Sequence, residues 1–275
     1  MTRTVTKAIG TAQVSIITDG ATTFTPDLFP DTPEAHIDAL RGDAAIETNF
    51  NAVLIRNAGR VILADAGPRD LFGPACGHLH EGLAEHGIRP EQVDTLIATH
   101  LHPDHIAGMI TEDGQAVFTN ATLHVTEADR AFWSEDSNFA GDLAGIADWA
   151  KLAQAVLAAY DDRLEILTEG QEAAPGVSGF ALPGHTPGHF GWRLDSFGES
   201  LIHVGDIVHV PVLQVADPEI GISFDLDMAT ARDTRKRLLD QLASDKTLFT
   251  GGHFLHPAFN RVIRKGQGYA LEPGA

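Results

Sequence analysis

The chain has 275 residues, and its 43% hydrophobic and 21% charged residues are typical of a globular protein with a sizeable core. Its 38 acidic and 19 basic side chains give a formal net charge of −19, which argues against nucleic acid or an anionic membrane surface as a partner. Cys76 is the single cysteine, so an internal disulfide and a cysteine-rich zinc site are excluded.

The first half of the chain is predicted to alternate between strands and helices. An early strand is expected in AQVSIITDG, and two β-rich runs, 52–56 and 60–64, flank NAG in a predicted hairpin. Helical spacing in HLHEGLAEHGI predicts a helix that ends at Gly87. After it come strands in VDTLIA and ATLHV, a helix in TEADRAFW opened by a Thr-x-x-Asp cap, and one long helix in GDLAGIADWAKLAQAVLAAY.

The second half is predicted to contain more strands than helices. Strands are expected in GVSGFAL, HFGWRLD, SLIHV and KTLFT, and an amphipathic helix in DMATARDTRKRLLDQLA. Polar residues recur where these strands stop. This pattern favours two packed sheets covered by helices, with a site along the strand ends, in a single domain of residues 1–275.

The stretch THLHPDH carries the strongest chemical signal. His100 and His102 are two residues apart, so an extended segment would turn both imidazoles to one side. Pro103 is expected to stop a helix from forming, and Asp104 and His105 then face elsewhere. One loop could thus offer two imidazoles to one metal ion, and a carboxylate with an imidazole to a second. The alternative, a chance cluster of loop histidines, is disfavoured because such dense imidazoles would compete for partners.

Other strand ends offer the further ligands that two metal ions would need. His185 follows a strand in LPGHTPGH, Asp206 ends LIHVGD, and His253 directly follows two glycines in LFTGGH. His253 is therefore preferred to His256. Five further histidines are interpreted as structural or surface residues: His189, His203, His78, His80 and His86.

Taken in this order, THLHPDH, GHTPGH, GD and GGH resemble the metallo-β-lactamase superfamily, and ADAG resembles its first motif, with Asp65 behind the ligands. The matches run from about Asp65 to His253. The resemblance implies an α+β fold, an αββα sandwich whose two mixed β-sheets are flanked by helices, with the metal site at one edge.

The resemblance also implies a ligand set for two divalent metal ions. It gives one ion His100, His102 and His185, and the other Asp104, His105 and His253, with Asp206 bridging both. Zinc is the expected metal, and this nitrogen and oxygen ligand set would also accept manganese, iron or cobalt. A dinuclear hydrolase is implied, in which a metal-bridging hydroxide attacks a small-molecule substrate and Asp104 orients it or shuttles its proton.

The segments GDIVHVPVLQ, FDLDMATARDTRKRLLDQL and NATLHVTEADRAFW resemble the methyl parathion hydrolase branch, which is close to the quorum-quenching lactonases. A lactone, ester or phosphotriester substrate is therefore expected. One group of lactonases has a tyrosine three residues after the bridging aspartate, where this chain has His209. His209 could hydrogen-bond a substrate oxygen, and a packed structural role is equally open.

Three alternatives remain open from the sequence: a thioester hydrolase of the glyoxalase II type, an iron-bearing redox member, and a non-catalytic metal-binding protein. Five apolar residues could form a pocket for an acyl or aryl group, or could belong to the core or a dimer contact: Phe24, Phe29, Val210, Leu213 and Phe224. No signal peptide or membrane-spanning run is seen, so a cytoplasmic location is expected, and relatives suggest a homodimer.

Overall fold

The computed structural model describes residues 3–256 and 258–274, and two seven-stranded β-sheets dominate it. The first sheet contains its strands in chain order: β1 (Thr4–Ile9), β2 (Ala12–Phe24), β3 (Ile46–Asn57), β4 (Arg60–Ala64), β5 (Thr95–Ile97), β6 (Thr122–Val125) and β7 (Leu164–Ile166). Pairing is antiparallel from β1 to β4 and parallel from β4 to β7. The sheet is therefore mixed.

The second sheet is also mixed and also follows chain order. Its strands are β8 (Glu172–Ala174), β9 (Val177–Ala181), β10 (Phe190–Ser196), β11 (Glu199–His203), β12 (Leu248–Thr250), β13 (Asn260–Lys265) and β14 (Gly268–Pro273). Only the pair of β11 and β12 is parallel among the described strands of this sheet.

The α-helices connect these strands and cover the sheets. They are α1 (Glu34–Arg41), α2 (Leu79–Glu85), α3 (Pro103–Ile106), α4 (Glu127–Ser134), α5 (Ala147–Ala159), α6 (Pro211–Gln214) and α7 (Met228–Asp245). Short 3-10 turns lie at Pro26–Leu28, Pro90–Gln92, Ala107–Met109, Asp136–Phe139, Gly141–Ile146 and Asp161–Arg163. Within the described residues, no helix combines the length and apolar character that crossing a membrane requires.

The alternation of side chains along β3 shows how one strand serves two cores. Val53 and Ile55 face the cluster between the sheets, where they join Trp192 of β10. Ala52 and Leu54 point the other way, into a second cluster shared with α2, α4 and α5. Because both faces of the strand are buried at this point, residues 52–55 are all apolar. The predicted αββα sandwich is confirmed.

Two local predictions need correction. Pro103 does not prevent a helix; it is the first residue of α3, where a missing N–H costs nothing and the fixed φ suits helix geometry. The alanine-rich segment is not one long helix either. Gly141–Ile146 forms a 3-10 turn and the α-helix begins at Ala147. Gly141 has a φ of 61°, and a second glycine, Gly145, further weakens helix formation before that point.

Candidate metal centre

Loops that follow strands of both sheets bring the candidate ligands together. His100 and His102 follow β5 of the first sheet, and α3 then carries Asp104 and His105. Asp104 and His105 belong to a different group of potential ligands from the two preceding imidazoles. The second sheet contributes His185 from the β9–β10 loop, Asp206 after β11 and His253 after β12. The site therefore lies at the edge where the strand ends of both sheets meet.

One carboxylate oxygen, Oδ2 of Asp206, lies at the centre of the site. It is 2.8 Å from Nε2 of His253 and 3.0 Å from Nε2 of His105. On its other side, Nε2 of His185 is 3.6 Å away and Nε2 of His100 is 3.7 Å away. Asp206 thus faces both groups of imidazoles.

The side chains form two compact groups, each able to hold a metal ion. The first contains His100, His102 and His185, and the second contains Asp104, His105, Asp206 and His253. Two buried atoms in these groups have no hydrogen-bond partner, Nε2 of His102 and Oδ1 of Asp206. Buried polar atoms are normally paired, so these two orphaned ligand atoms fit a site built for metal ions.

The charge state of the site also suits metal binding. Burial lowers the pKa of His100, His102 and His185 well below its usual value, so these imidazoles are neutral, the form that binds metal. Burial alone would raise the pKa of Asp206, but the facing imidazoles of His105 and His253 outweigh it and hold that pKa well below its usual value. Asp206 is therefore an ionised carboxylate.

Partners behind the ligands fix the orientation of the imidazoles. Asp65, after β4, accepts a hydrogen bond from Nδ1 of His105 at 2.9 Å and is itself held by the N–H and hydroxyl of Thr99. Nδ1 of His185 donates to Oδ1 of Asp225 at 2.9 Å, and Nδ1 of His253 donates to the Asn49 carbonyl at 2.8 Å. In each pair Nδ1 is occupied, so Nε2 is left to face the centre of the site.

His189 supports the site without entering it. Burial lowers its pKa to about 4, so the ring is neutral. Its Nδ1 donates to the Leu182 carbonyl, and its Nε2 accepts the Asp206 N–H at 2.8 Å. The ring therefore holds the backbone of Asp206 in place.

A cavity of about 180 Å³ opens onto the ligands and has mostly aromatic walls. Phe50 stacks on Phe72 at 5.3 Å and meets the ring of His253 edge-on, while Trp149 lies 5.2 Å from the ring of His102. Among the described residues that line the cavity there is no lysine or arginine. The cavity therefore suits an uncharged, largely apolar group.

Of the five apolar residues predicted to form a pocket, two line this cavity and three do not. Phe24 and Phe224 line it and meet edge-to-face at 5.7 Å. Phe29, Val210 and Leu213 are buried in an apolar cluster behind these two, because their side chains pack against the helices α1 and α6. They support the cavity wall rather than contact its contents.

His209 also lines the cavity. Its Nε2 is 3.4 Å from Oδ2 of Asp206, its Nδ1 is buried without a partner, and its ring lies 6.2 Å from that of Phe224. It is close enough to His185 and Asp206 that these three side chains could also hold an ion.

Apart from His189, the histidines interpreted as structural or surface residues lie away from this cluster. His203 is buried and stacks on Trp192 at 5.1 Å, while His256 faces Thr18. His78, His80 and His86 lie before, within and after α2, and none belongs to a group of potential metal ligands in the described chain.

Several supporting residues lie outside the sequence prediction. Asp225 contacts a residue 40 positions away, and Asn49 contacts His253 from 204 positions away. The aromatic residues Phe50, Phe72 and Trp149 reach the cavity from three separate segments. The only signal for Asp225 in the sequence is its position in the acidic segment FDLD, just before the predicted amphipathic helix.

The described fold and site agree with comparisons to known proteins. The family model of the metallo-beta-lactamase superfamily matches residues 47–253. This range contains every candidate metal ligand and most of the chain. The chain belongs to the metallo-beta-lactamase superfamily.

Solved structures with the same fold include hydrolases. The hydrolase AbOPH of the beta lactamase superfamily is 29% identical, with a TM-score of 0.93 over 100% of this chain and 98% of that one. AidC, a dizinc quorum-quenching lactonase, is 24% identical, with a TM-score of 0.90 over 99% and 97% of the two chains. A probable metal-dependent hydrolase from Staphylococcus aureus is 20% identical, with a TM-score of 0.81 over 98% and 100%. A search of curated proteins gave no match.

The family and these neighbours identify the chain as a metal-dependent hydrolase.

Proposed function

We propose that the protein is a dinuclear metal-dependent hydrolase of lactones, esters or phosphotriesters. The observation that carries this proposal is the position of Asp206, whose Oδ2 lies between two groups of candidate ligands. The proposed ligands of one ion are His100, His102 and His185, those of the other are Asp104, His105 and His253, and Asp206 would bridge them. Zinc is the expected metal, because imidazole nitrogens and carboxylate oxygens suit it.

Bound at these ligands, two divalent ions would supply a water acidified to a pKa of about 7 and Lewis acidity toward the substrate oxygen. Asp104 is the ligand best placed to manage the proton of that water. Its side chain is 16% exposed, against 2% for Asp206, and its Oδ2 lies 3.4 Å from Nε2 of His253. Asp104 therefore borders the cavity and can accept a proton there.

The aromatic walls and His209 determine which substrates the site would accept. The absence of lysine and arginine from the described lining disfavours a substrate with several carboxylates, including a glutathione thioester. His209 lines the cavity with its Nε2 3.4 Å from Oδ2 of Asp206, where it could donate a hydrogen bond to a carbonyl or phosphoryl oxygen. The lactonase and organophosphate activities suggested by the sequence both involve uncharged substrates of this kind.

The comparison with AidC supports the lactone part of the proposal, since that dizinc lactonase was solved with a product bound. Small-molecule hydrolysis is consistent with the small cavity beside the candidate ligands. A cytoplasmic location and a homodimer remain predictions.

Elemental analysis combined with a substrate panel tests the proposed function. The protein is loaded with zinc and assayed on an acyl-homoserine lactone, an aryl ester, a paraoxon-type phosphotriester and a glutathione thioester. We expect two ions per chain and turnover of at least one of the first three substrates. Two bound ions with no turnover of these three, or turnover of the thioester alone, would contradict the substrate proposal.

Asp104→Asn provides the matched variant for this experiment. Loss of the proton acceptor and of one ligand is expected to lower kcat by about 10²- to 10⁴-fold. Asp43→Asn is the control, because Asp43 is exposed and far from the cavity lining. It should leave both the metal content and the turnover unchanged.

A further inference from the structure

A fully buried arginine lies behind the metal centre. Arg235 is on α7 and has a relative exposure of 0%. Its Nε donates to the Ile207 carbonyl at 2.5 Å, and its Nη1 donates to the Ile220 carbonyl at 2.7 Å and the Pro218 carbonyl at 3.1 Å. All three acceptors belong to the segment between β11 and α7, which is irregular apart from the short helix α6. One guanidinium therefore fixes three separate points of that segment.

The same guanidinium also reaches a partner of a proposed metal ligand. Nη2 of Arg235 lies 3.5 Å from Oδ2 of Asp225, and the other oxygen of Asp225 accepts the Nδ1–H of His185 at 2.9 Å. Both the arginine and the aspartate have fully buried side chains. Because a buried carboxylate is stable as an anion only with partners, Arg235 helps Asp225 to remain an acceptor for His185.

Gln214 forms hydrogen bonds to a further part of the segment between β11 and α7. Its Oε1 accepts the N–H groups of His209 at 2.7 Å and Val210 at 3.1 Å. Its Nε2 donates to the Ile220 carbonyl at 3.2 Å, the same carbonyl that Arg235 binds. Gln214 is also 0% exposed.

Three of the attachment points lie at or beside residues of the candidate site. Ile207 directly follows Asp206, Gln214 holds the backbone of His209, and Asp225 holds His185 and directly follows Phe224 of the cavity wall. Bonds of this kind can transmit a fixed geometry to the reacting groups.

We propose that Arg235 and Gln214 are positioning residues, which form one buried network that fixes His185 through Asp225 and fixes His209 on the substrate side. The proposal rests on the proposed hydrolase function and adds two residues to it. Arg235 acts mainly on the candidate metal ligand His185, which we call the metal side. Gln214 acts mainly on His209, which lines the cavity and which we call the substrate side. The two residues should therefore give different signatures when they are changed.

Arg235→Lys tests the metal side, because it keeps the charge and removes the planar fork. We expect the Asp225–His185 contact to loosen, so that the dissociation constant of the weaker-bound Co²⁺ rises about tenfold and the visible absorption bands of the Co²⁺ protein shift. If this variant does not fold, Asp225→Asn tests the same contact and should give the same shift. Unchanged Co²⁺ affinity and spectrum in a folded variant would overturn this half of the proposal.

Gln214→Met tests the substrate side, because methionine has a similar volume but accepts no strong hydrogen bond. We expect the Co²⁺ spectrum and metal content to stay unchanged while kcat on the best substrate of the panel falls at least tenfold. Wild-type kcat in this variant would overturn the second half. Leu242→Ala changes a buried core residue of α7, the helix that carries Arg235, and is the control for a general loss of stability. If it reproduces both signatures at an equal unfolding midpoint, the network is structural only.

These measurements separate the inference from the proposed function. Absence of turnover by the wild-type protein would contradict the proposed function, yet the Co²⁺ affinity and spectrum of the Arg235→Lys variant would still be informative. In that case the effect of Gln214→Met is measured by NMR of the histidine ring protons. A change in chemical shift confined to His209 supports the network, and an unchanged spectrum overturns it.

Discussion

His209 lines the cavity and also lies beside the candidate metal ligands. Its Nε2 is 3.4 Å from Asp206, and its ring lies 4.7 Å from that of His185 and 4.9 Å from that of His253. We expect His209→Phe to lower kcat by on the order of 10²-fold, because the ring shape is kept while the hydrogen-bond donor to the substrate oxygen is lost. Steady-state kinetics on the lactone and phosphotriester, with parallel metal analysis, measures this effect.

The control for His209 is His256→Phe, which changes a histidine that faces Thr18 instead of the metal cluster. It should retain full turnover. If His209→Phe instead loses one metal ion, His209 is a ligand and its assignment as a hydrogen-bond donor is wrong. Retained turnover with both ions bound would assign it a packing role.

At the same scale, the candidate ligands could be named from the sequence because they follow strands within short, recognisable motifs. His100, His102, Asp104 and His105 lie within six consecutive residues, and glycines or prolines mark the other positions. Asp225 and Asn49 were not predictable, because nothing local distinguishes them from ordinary loop or strand residues. Their roles depend on tertiary contacts that span 40 and 204 positions.

Strand β3 is the element that fixes the loop carrying His253. Asn51 donates from Nδ2 to the Phe254 carbonyl at 2.9 Å, and its N–H donates to the Gly252 carbonyl at the same distance. We expect Asn51→Ala to lower the free energy of unfolding by about 1–3 kcal/mol, because a buried carbonyl loses its main donor. It should also reduce metal content, since His253 then becomes mobile. Urea denaturation and elemental analysis measure the two effects.

Glu47→Ala is the matched control on the same strand, because Glu47 is exposed. Its effect should stay within about 0.5 kcal/mol, with full metal content. Equal stability losses in the two variants would show that β3 has no specific role in holding the loop.

The end of α5 carries a buried tyrosine whose ionisation should couple stability to alkaline pH. Tyr160 donates from Oη to the Met109 carbonyl at 2.8 Å and accepts the Phe118 N–H at 3.1 Å. Burial raises its pKa to about 12, from about 10 in the unfolded chain. Because the folded state favours the protonated phenol, the stabilising contribution is complete below pH 10 and is lost as the pH rises through 12.

We therefore expect the stability advantage of the wild-type protein over Tyr160→Phe to shrink above pH 10. The advantage is about 1 kcal/mol near neutral pH, because the phenylalanine variant leaves the buried Phe118 N–H without its acceptor. Urea denaturation of both proteins in the same metal state, from pH 8 to pH 11.5, measures it. A difference that stays constant across this range would contradict the raised pKa.

At the scale of elements, sequence patterns predicted the strands with clear alternation and the helices with clear caps. The Thr126 cap of α4 is present, with its hydroxyl accepting the Asp129 N–H, and the 52–56 and 60–64 hairpin is present as β3 and β4. The prediction omitted β1, α1 and the β13–β14 hairpin. Much of β13 and β14 is polar, as in RVIRKGQGYALEP, because these two strands at one end of the second sheet are buried on one face at most.

For the whole molecule, the metal centre is a connection between the two sheets. The first sheet contributes the ligands after β5, and the second contributes those after β9, β11 and β12. Each sheet alone holds too few of the candidate ligands for the two proposed ions, so those ions would bind fully only when both sheets are in place. Metal binding and sheet packing should therefore stabilise one another.

Removal of the metal should lower the thermal stability of the entire fold. Free metal at about 1,000 times its dissociation constant adds roughly 4 kcal/mol to the native state, which corresponds to a change in Tm on the order of 10 °C. Differential scanning calorimetry before and after dialysis against a chelator measures this change, and zinc should restore the original Tm. Asp206→Asn should start at a low Tm and respond weakly to the chelator, because the shared oxygen between the two groups is altered, whereas Asp43→Asn should respond like the wild type. A protein that holds two ions and keeps its Tm after chelation would show that the sheets are joined by apolar packing alone.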